Sequence, residues 1–137
     1  MSILEPSPWS SRMLSIVRIV AGLVFISFGT MKMFNYPPVG MPGFPVNLMS
    51  QLGLASILEV FGGLAIVLGL FTRPVAFVLA GEMAVAYFQE HFPKSFWPSI
   101  NGGAPAIIYC LLFLYLAFAG GGEWSVDAGL ARSRRSG

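Results

Sequence analysis

Charged side chains interrupt long apolar runs of this chain, at positions where they could do chemistry inside a membrane. They are Arg18, Lys32, Glu59, Arg73 and Glu82. A charge at the centre of a bilayer costs about 2.5–3.5 kcal/mol on insertion scales, so each one needs a partner or a role. Two uses suit them: a structural ion pair that fixes the packing of helices, or a polar network that binds a proton, a quinone or another small ligand.

Spacing places four of these charges on two helix faces. One row joins Arg18 to Lys32 and another joins Glu59 to Arg73, each at alternating steps of three and four residues. Such steps keep one helix face aligned, and glycines on the face let a neighbouring helix approach closely. The intervening residues are Gly22, Phe25 and Gly29 in the first row, and Gly62, Ile66 and Gly69 in the second. We therefore predict that these charges face a packed seam.

Depth in the membrane suggests how the charges pair. At ~1.5 Å per residue, Arg18, Glu59 and Glu82 fall within one band ~10 Å thick near the middle of the membrane. Arg18 and Glu82 are the best-matched opposite charges by depth. Glu59 lies between Glu82 and Lys32, with room either to share a proton with Glu82 or to form an ion pair with Lys32. Two carboxylates against one arginine leave one acid in surplus, which is either protonated or matched by Lys32. We expect Glu59 to hold the proton.

Composition sets the class of protein. Of 137 residues, 55% are hydrophobic and 10% are charged, whereas soluble domains carry about 25% charged residues. The chain is therefore predicted to be an all-α integral membrane protein. Its net charge of +2 is small, and the basic residues cluster at the ends rather than in one patch, so we expect no nucleic-acid partner. The single cysteine, Cys110, excludes an intrachain disulfide or a dithiol redox motif.

Four segments are long and apolar enough to cross a bilayer core, which needs roughly 20 residues per helix. They cover about residues 12–34, 51–71, 73–92 and 101–120. We predict a single membrane domain over residues 1–137, folded as a four-transmembrane-helix bundle with a polar, mobile tail at 128–137. Residues 35–47 contain four prolines and no charge. We expect them to lie at the membrane interface or to fold back over the bundle.

The distribution of basic residues predicts the orientation. Four spans put both termini on the same side as the turn between spans two and three, and cytoplasmic loops are enriched in lysine and arginine. That side holds Arg12, Arg73, Arg132, Arg134 and Arg135, against Lys32 and Lys94 on the other. Both termini are therefore predicted to be cytoplasmic. His91 is the only histidine, so we predict no metal site and a satisfied histidine at the interface.

Several short motifs resemble the DoxX family of small four-helix bacterial membrane proteins. The resemblance runs from about Arg18 to Asp127. Its most specific parts are Gly29 with Lys32, Glu59-x-x-Gly62-Gly63, Gly69-Leu70-x-Thr72-Arg73, Asn101-Gly102-Gly103 and Gly120-x-Gly122-x-x-Ser125-x-Asp127. One position departs from the family pattern: Ala104 follows the Asn-Gly-Gly motif, where family members usually have glutamate.

The resemblance implies a multi-pass protein of the bacterial plasma (inner) membrane. The family name links it to a subunit of a thiosulfate:quinone oxidoreductase, so the chain is expected to be an accessory or quinone- or lipid-binding subunit of a membrane redox system. It would not be catalytic alone and would have no intrinsic cofactor, with a membrane quinone as candidate ligand. Its expected partners are the lipid bilayer, a redox protein and a second copy of itself. Two alternatives stay open: a small proton-coupled transporter-like protein and a purely structural bundle.

Overall fold

Helices make up the fold of this protein. The structure is a computed structural model that describes residues 5, 7–40 and 42–136, and within this part of the chain it contains no strand. A π-helical turn, Leu58–Gly62, lies inside the second helix, and another, Tyr87–His91, extends the third. The α-helices in chain order are α1 (Ser10–Phe34), α2 (Gln51–Leu68), α3 (Thr72–Ala86), α4 (Pro98–Asn101), α5 (Ala104–Ala119) and α6 (Val126–Ser136), with a short 3-10 helix, Phe92–Lys94, between α3 and α4.

Glycine sets the ends of two helices that were predicted to be longer. α2 stops at Leu68 because Gly69 takes a left-handed conformation with φ +70°. α5 begins only at Ala104, because Gly102, with φ +75°, separates it from α4. By length and composition, α1 and α2 could each cross a membrane, and α5 is a shorter apolar helix.

The end of the chain is helical. Most of the segment predicted as a polar, mobile tail belongs to α6, which reaches Ser136. Ser125 caps this helix: its Oγ accepts a hydrogen bond from the Ala128 amide at 3.1 Å, and its carbonyl accepts one from the Gly129 amide. A serine in that position satisfies amides that would otherwise lack partners, and composition alone does not show this. Gly137 lies outside the described residues.

Glycine contacts hold α1 against α2. A Cβ added to Gly22 would lie 2.9 Å from the Gly63 carbonyl oxygen, and one added to Gly63 would lie 3.0 Å from the Gly22 carbonyl oxygen. A Cβ on Gly29 would lie 2.9 Å from the backbone of α2 at both Ser56 and Val60. The prediction that Gly22 and Gly29 allow close helix packing is confirmed.

The α2 face that meets α1 is one residue away from the predicted row. Gly62 lies against Leu79 of α3 rather than against α1. Ile66, with no exposed surface, belongs to the central core. This core draws on α1, α2, α3 and α5, and Phe25 meets Phe113 edge-on at a centroid distance of 4.9 Å.

Apolar side chains also cover the outside of the bundle. Each long helix has large apolar side chains that are about half exposed. Examples from α1, α2, α3 and α5 are Leu23 (55%), Leu64 (48%), Val78 (50%) and Leu111 (60%). Soluble monomers rarely expose apolar patches of this extent. Such a surface suits lipid surroundings.

The proline-rich segment after α1 folds back over the end of the bundle, one of its two predicted positions. The Val46 amide donates to the Lys32 carbonyl at 2.8 Å. Ser50 then caps α2 by accepting a hydrogen bond from the Gly53 amide at 3.0 Å. Gly53 leaves no room for a side chain, since a Cβ there would lie 2.2 Å from the Asn47 carbonyl oxygen. The segment therefore returns the chain close to the last turn of α1.

Candidate functional site

A buried ion pair joins α1 to α2. The Lys32 Nζ lies 2.5 Å from the Glu59 Oε1, and their side chains are 17% and 2% exposed. Lys32 stands in the last turn of α1, and Glu59 stands in the π-helical turn of α2. Such turns are rare in helices and occur often at functional sites. Of the two partners predicted for Glu59, the structure places Lys32 in direct contact.

Glu82 of α3 completes this cluster. Its carboxyl group interacts electrostatically with that of Glu59 and with the Lys32 ammonium. Both of its oxygens are buried, as is the Oε2 of Glu59, and among the described residues these atoms have only the facing carboxyl group as a hydrogen-bonding neighbour. Two carboxyl groups therefore share one ammonium group. Because Lys32 contacts Glu59 directly, Glu82 is the acid in surplus.

Arg18 lies in a different cluster, and the predicted pairing of Arg18 with Glu82 is wrong. The Arg18 guanidinium donates hydrogen bonds to the carbonyl oxygens of Gly121, Trp124 (2.8 Å) and Val67 (3.3 Å). Arg18 is only 1% exposed. Counting depth along a helix could not reveal these partners, because they are backbone groups: Val67 belongs to α2, and Gly121 and Trp124 belong to the loop after α5.

Asp127 connects this second cluster to the turn between α2 and α3. Its Oδ1 and Oδ2 accept hydrogen bonds from the Phe71 and Thr72 amides, both at 2.8 Å, so it caps the start of α3. Its own amide donates to the Gly69 carbonyl at 3.0 Å. Arg18 interacts electrostatically with the same carboxylate. Asp127 lies outside the apolar runs and was not among the predicted site residues, although it ends the glycine–aspartate motif that resembles the DoxX family.

Arg73 takes part in neither cluster. It is exposed in the first turn of α3, beside Gly120, where an added Cβ would lie 3.4 Å from the Arg73 Nε. The predicted row from Glu59 to Arg73 assumed one continuous helix. The left-handed turn at Gly69 interrupts that helix and sends Arg73 to the surface.

Asn101 forms a third polar cluster, near the end of the π-helical extension of α3. Its Nδ2 donates to the Ser95 carbonyl at 3.0 Å and to the Tyr87 hydroxyl at 3.3 Å, and its Oδ1 accepts from the Gly103 amide at 2.7 Å. The His91 Nδ1 lies 3.1 Å from the Asn101 carbonyl oxygen. The Asn-Gly-Gly motif and His91 therefore have a structural explanation here.

Two surface grooves lie outside the cluster of buried acids. One, of about 420 Å³, is lined by the start of α1 and by Leu112 and Tyr115 of α5. The other, of about 410 Å³, lies between the turn before α3 and the loop after α5. Neither groove is lined by Glu59 or Glu82.

Comparisons with known proteins place this geometry in context. The DoxX family model matches residues 13–91. A protein of Haemophilus influenzae, described as uncharacterized, is 40% identical over 117 residues, covering 83% of this chain and 87% of its own. In Escherichia coli K12, the inner membrane proteins YqjF and YphA are 32% and 30% identical, covering 82% and 84% of this chain and 87% and 88% of their own. No solved structure matches the chain.

Proposed function

This chain belongs to the DoxX family of membrane proteins, and we propose that it crosses the bacterial inner membrane four times with both termini in the cytoplasm. The inner-membrane names of two relatives support the location. α1 and α2 have the length and composition of spans, and α3 with its π-helical extension and α5 would supply the other two. The basic residues Arg12, Arg73, Arg134 and Arg135 favour the stated orientation.

Within that membrane, the chain serves as an accessory subunit of a quinone-linked redox system, and its ligand is a quinone or a lipid-like molecule. The observation that carries this proposal is the Glu82 carboxyl group, which is buried beside the Lys32–Glu59 pair with no side-chain partner other than the Glu59 carboxyl group. Small-ligand sites typically combine apolar walls with a few placed polar groups. The protonated Glu82 can donate a hydrogen bond to a quinone carbonyl oxygen.

The residues of this cluster fit a quinone as partner, because they provide orphaned polar atoms inside an apolar bundle. A bound quinone supplies the electron transfer. Glu82 would orient it through a hydrogen bond, because Lys32 already contacts Glu59 and leaves Glu82 as the acid without a cation of its own. The redox partner is a separate membrane or membrane-attached protein.

Binding of a short-chain ubiquinone analogue to the purified protein in lipid nanodiscs tests this function. Glu82→Leu removes the hydrogen-bonding group and is expected to weaken binding about tenfold. Glu82→Gln keeps a donor and is expected to retain most of the affinity. Glu90→Leu is the matched control, because Glu90 is an exposed acid on the extension of the same helix. Equal binding by the Glu82→Leu and Glu90→Leu proteins would refute the proposed quinone site.

A second function, proton-coupled transport, is favoured by the sharing of one ammonium group between two carboxyl groups. Such an arrangement holds a proton that can exchange. Proton flux into liposomes, lost in Glu82→Gln but kept in Glu90→Gln, would support transport over quinone binding. A third outcome would contradict both functions. If the protein keeps full cellular function after Lys32, Glu59 and Glu82 are all replaced by apolar residues, its role is that of a structural bundle without a ligand.

A further inference from the structure

The groove between the turn before α3 and the loop after α5 has features of a ligand site that the buried acids do not explain. It measures about 410 Å³, and Phe71, Thr72, Arg73, Pro74 and Ala119 contribute to its lining. Its walls therefore combine apolar side chains with a cation and a hydroxyl group. We name it the Arg73 groove.

Two unsatisfied groups point to the chemistry of its occupant. Thr72 has no exposed surface, and its Oγ1 has no hydrogen-bond partner among the described residues. Arg73 is exposed beside Gly120 and forms no ion pair within the described part of the chain. A guanidinium fork beside a hydroxyl donor suits the oxygens of a phosphate group.

The carboxylate of Asp127 also lines the groove, but its charge is already balanced. Both of its oxygens accept hydrogen bonds from the amides that begin α3, and Arg18 interacts with it electrostatically. These amides, and with them the positive end of the α3 dipole, are already matched by the Asp127 carboxylate. Arg73 is therefore the cation that attracts an anion into the groove.

The position of the groove identifies the source of that phosphate. Phe71, at its edge, is 65% exposed, so an apolar surface continues from the phosphate-binding groups. α6, which carries the exposed Arg134 and Arg135, begins at the groove through Asp127 and Ala128. Clusters of basic residues beside membrane helices attract anionic lipids. An occupant with a phosphate at one end and hydrocarbon at the other matches this arrangement.

We propose that the Arg73 groove binds the headgroup phosphate of an anionic phospholipid, with an acyl chain lying over Phe71. This inference does not depend on quinone binding or proton transport at Glu82. It adds a lipid site at the opposite end of the bundle from Asn101.

Native mass spectrometry of the detergent-purified protein with phosphatidylglycerol tests the proposal. Arg73→Gln is expected to lower the affinity about tenfold, and Thr72→Val a few-fold, because each removes one group that holds the phosphate. Lys94→Gln is the matched control, since it removes the same charge from a residue beyond the other end of α3. Arg73 is exposed, so the Arg73→Gln protein is expected to unfold at an unchanged temperature.

Three outcomes would overturn the lipid site. Equal losses of lipid affinity in the Arg73→Gln and Lys94→Gln proteins would show that net charge alone attracts the lipid. A loss of affinity in Arg134→Gln but not in Arg73→Gln would place the lipid on α6 rather than in the groove. If millimolar inorganic phosphate displaces the lipid, and the protein binds the free ion as tightly as it binds the lipid, the groove is a site for phosphate ions rather than for lipid.

Discussion

Replacement of Gly22 by alanine tests the seam between α1 and α2. The added Cβ would lie 2.7 Å from the Val67 Cγ2 and 2.9 Å from both the Gly63 carbonyl oxygen and the Val67 amide nitrogen. The last two atoms belong to the backbone and cannot rotate away. The helices must therefore separate by roughly 0.5 Å to restore ordinary contact, and a gap of that size forfeits a quarter or more of each contact's attraction.

The expected loss of stability follows from comparison with overpacked cores. Extra methyl groups in a packed interior cost about 1–3 kcal/mol, whereas alanine in an open helix gains up to about 1 kcal/mol over glycine. Gly81 of α3 is the matched control, because nothing lies within 4 Å of a Cβ built there. Both variants gain the helix propensity of alanine, so we expect Gly22→Ala to be less stable than Gly81→Ala by the overpacking cost, about 1–3 kcal/mol.

Reversible unfolding in mixed micelles, by titration with sodium dodecyl sulfate, measures this difference through helical circular dichroism. Gly29→Ala is expected to behave like Gly22→Ala, since its Cβ would also meet backbone atoms of α2 at 2.9 Å. Equal stability of the Gly22→Ala and Gly81→Ala proteins would refute the glycine seam.

Three further substitutions probe the polar clusters by the same unfolding assay. Lys32→Met is expected to destabilise the protein by about 3 kcal/mol, because it leaves Glu59 buried without its cation, and the added change Glu59→Gln should recover most of that loss. Asp127→Ala should cost about 1–2 kcal/mol, since the first amides of α3 lose their cap. Asn101→Ala should cost about 2–3 kcal/mol through the loss of buried hydrogen bonds.

Controls separate these effects from general damage. Glu123→Ala removes an exposed acid near Asp127, and its 3.5 Å contact with Arg12 is a surface pair of little value. Gln89→Ala removes an exposed hydrogen-bonding amide as a comparison for Asn101. The cluster assignments would be contradicted if Glu123→Ala lost as much stability as Asp127→Ala, or if Gln89→Ala lost as much as Asn101→Ala. A double variant at Lys32 and Glu59 no more stable than the Lys32 variant would show that the pair does not act as a unit.

The sequence predicted the helical class and the α1 seam well, because apolar length and the spacing of small residues determine both. Gly22 and Gly29 lie on one α1 face, and no distant contact is needed to infer that a helix packs there. The matching face of α2 was displaced by one residue. The α2 residues that meet α1 are Ser56, Val60, Gly63 and Val67. They have the same alternating spacing as the predicted row and also contain a glycine, so the sequence pattern alone does not distinguish the two faces.

The partner of a buried charged side chain was predictable only where that partner is itself a charged side chain. Lys32 was one of two expected partners of Glu59, and the structure selects it. The partners of Arg18 are carbonyl oxygens, which every residue possesses, so no residue type marked Gly121 or Trp124 as acceptors. Likewise, the break at Gly69 depends on a left-handed backbone that glycine permits but does not require.

The distance along the chain between Arg18 and its acceptors has a consequence for biogenesis. The Gly121 and Trp124 carbonyls lie 103 and 106 residues after Arg18. In the topology proposed above, α1 enters the membrane before these acceptors are made. The Arg18 guanidinium therefore lacks two of its three carbonyl acceptors until the loop after α5 has been synthesised. A chain that ends before Gly121 is expected to leave this buried cation without those hydrogen bonds, so the final fold of the first helix depends on the last part of the chain.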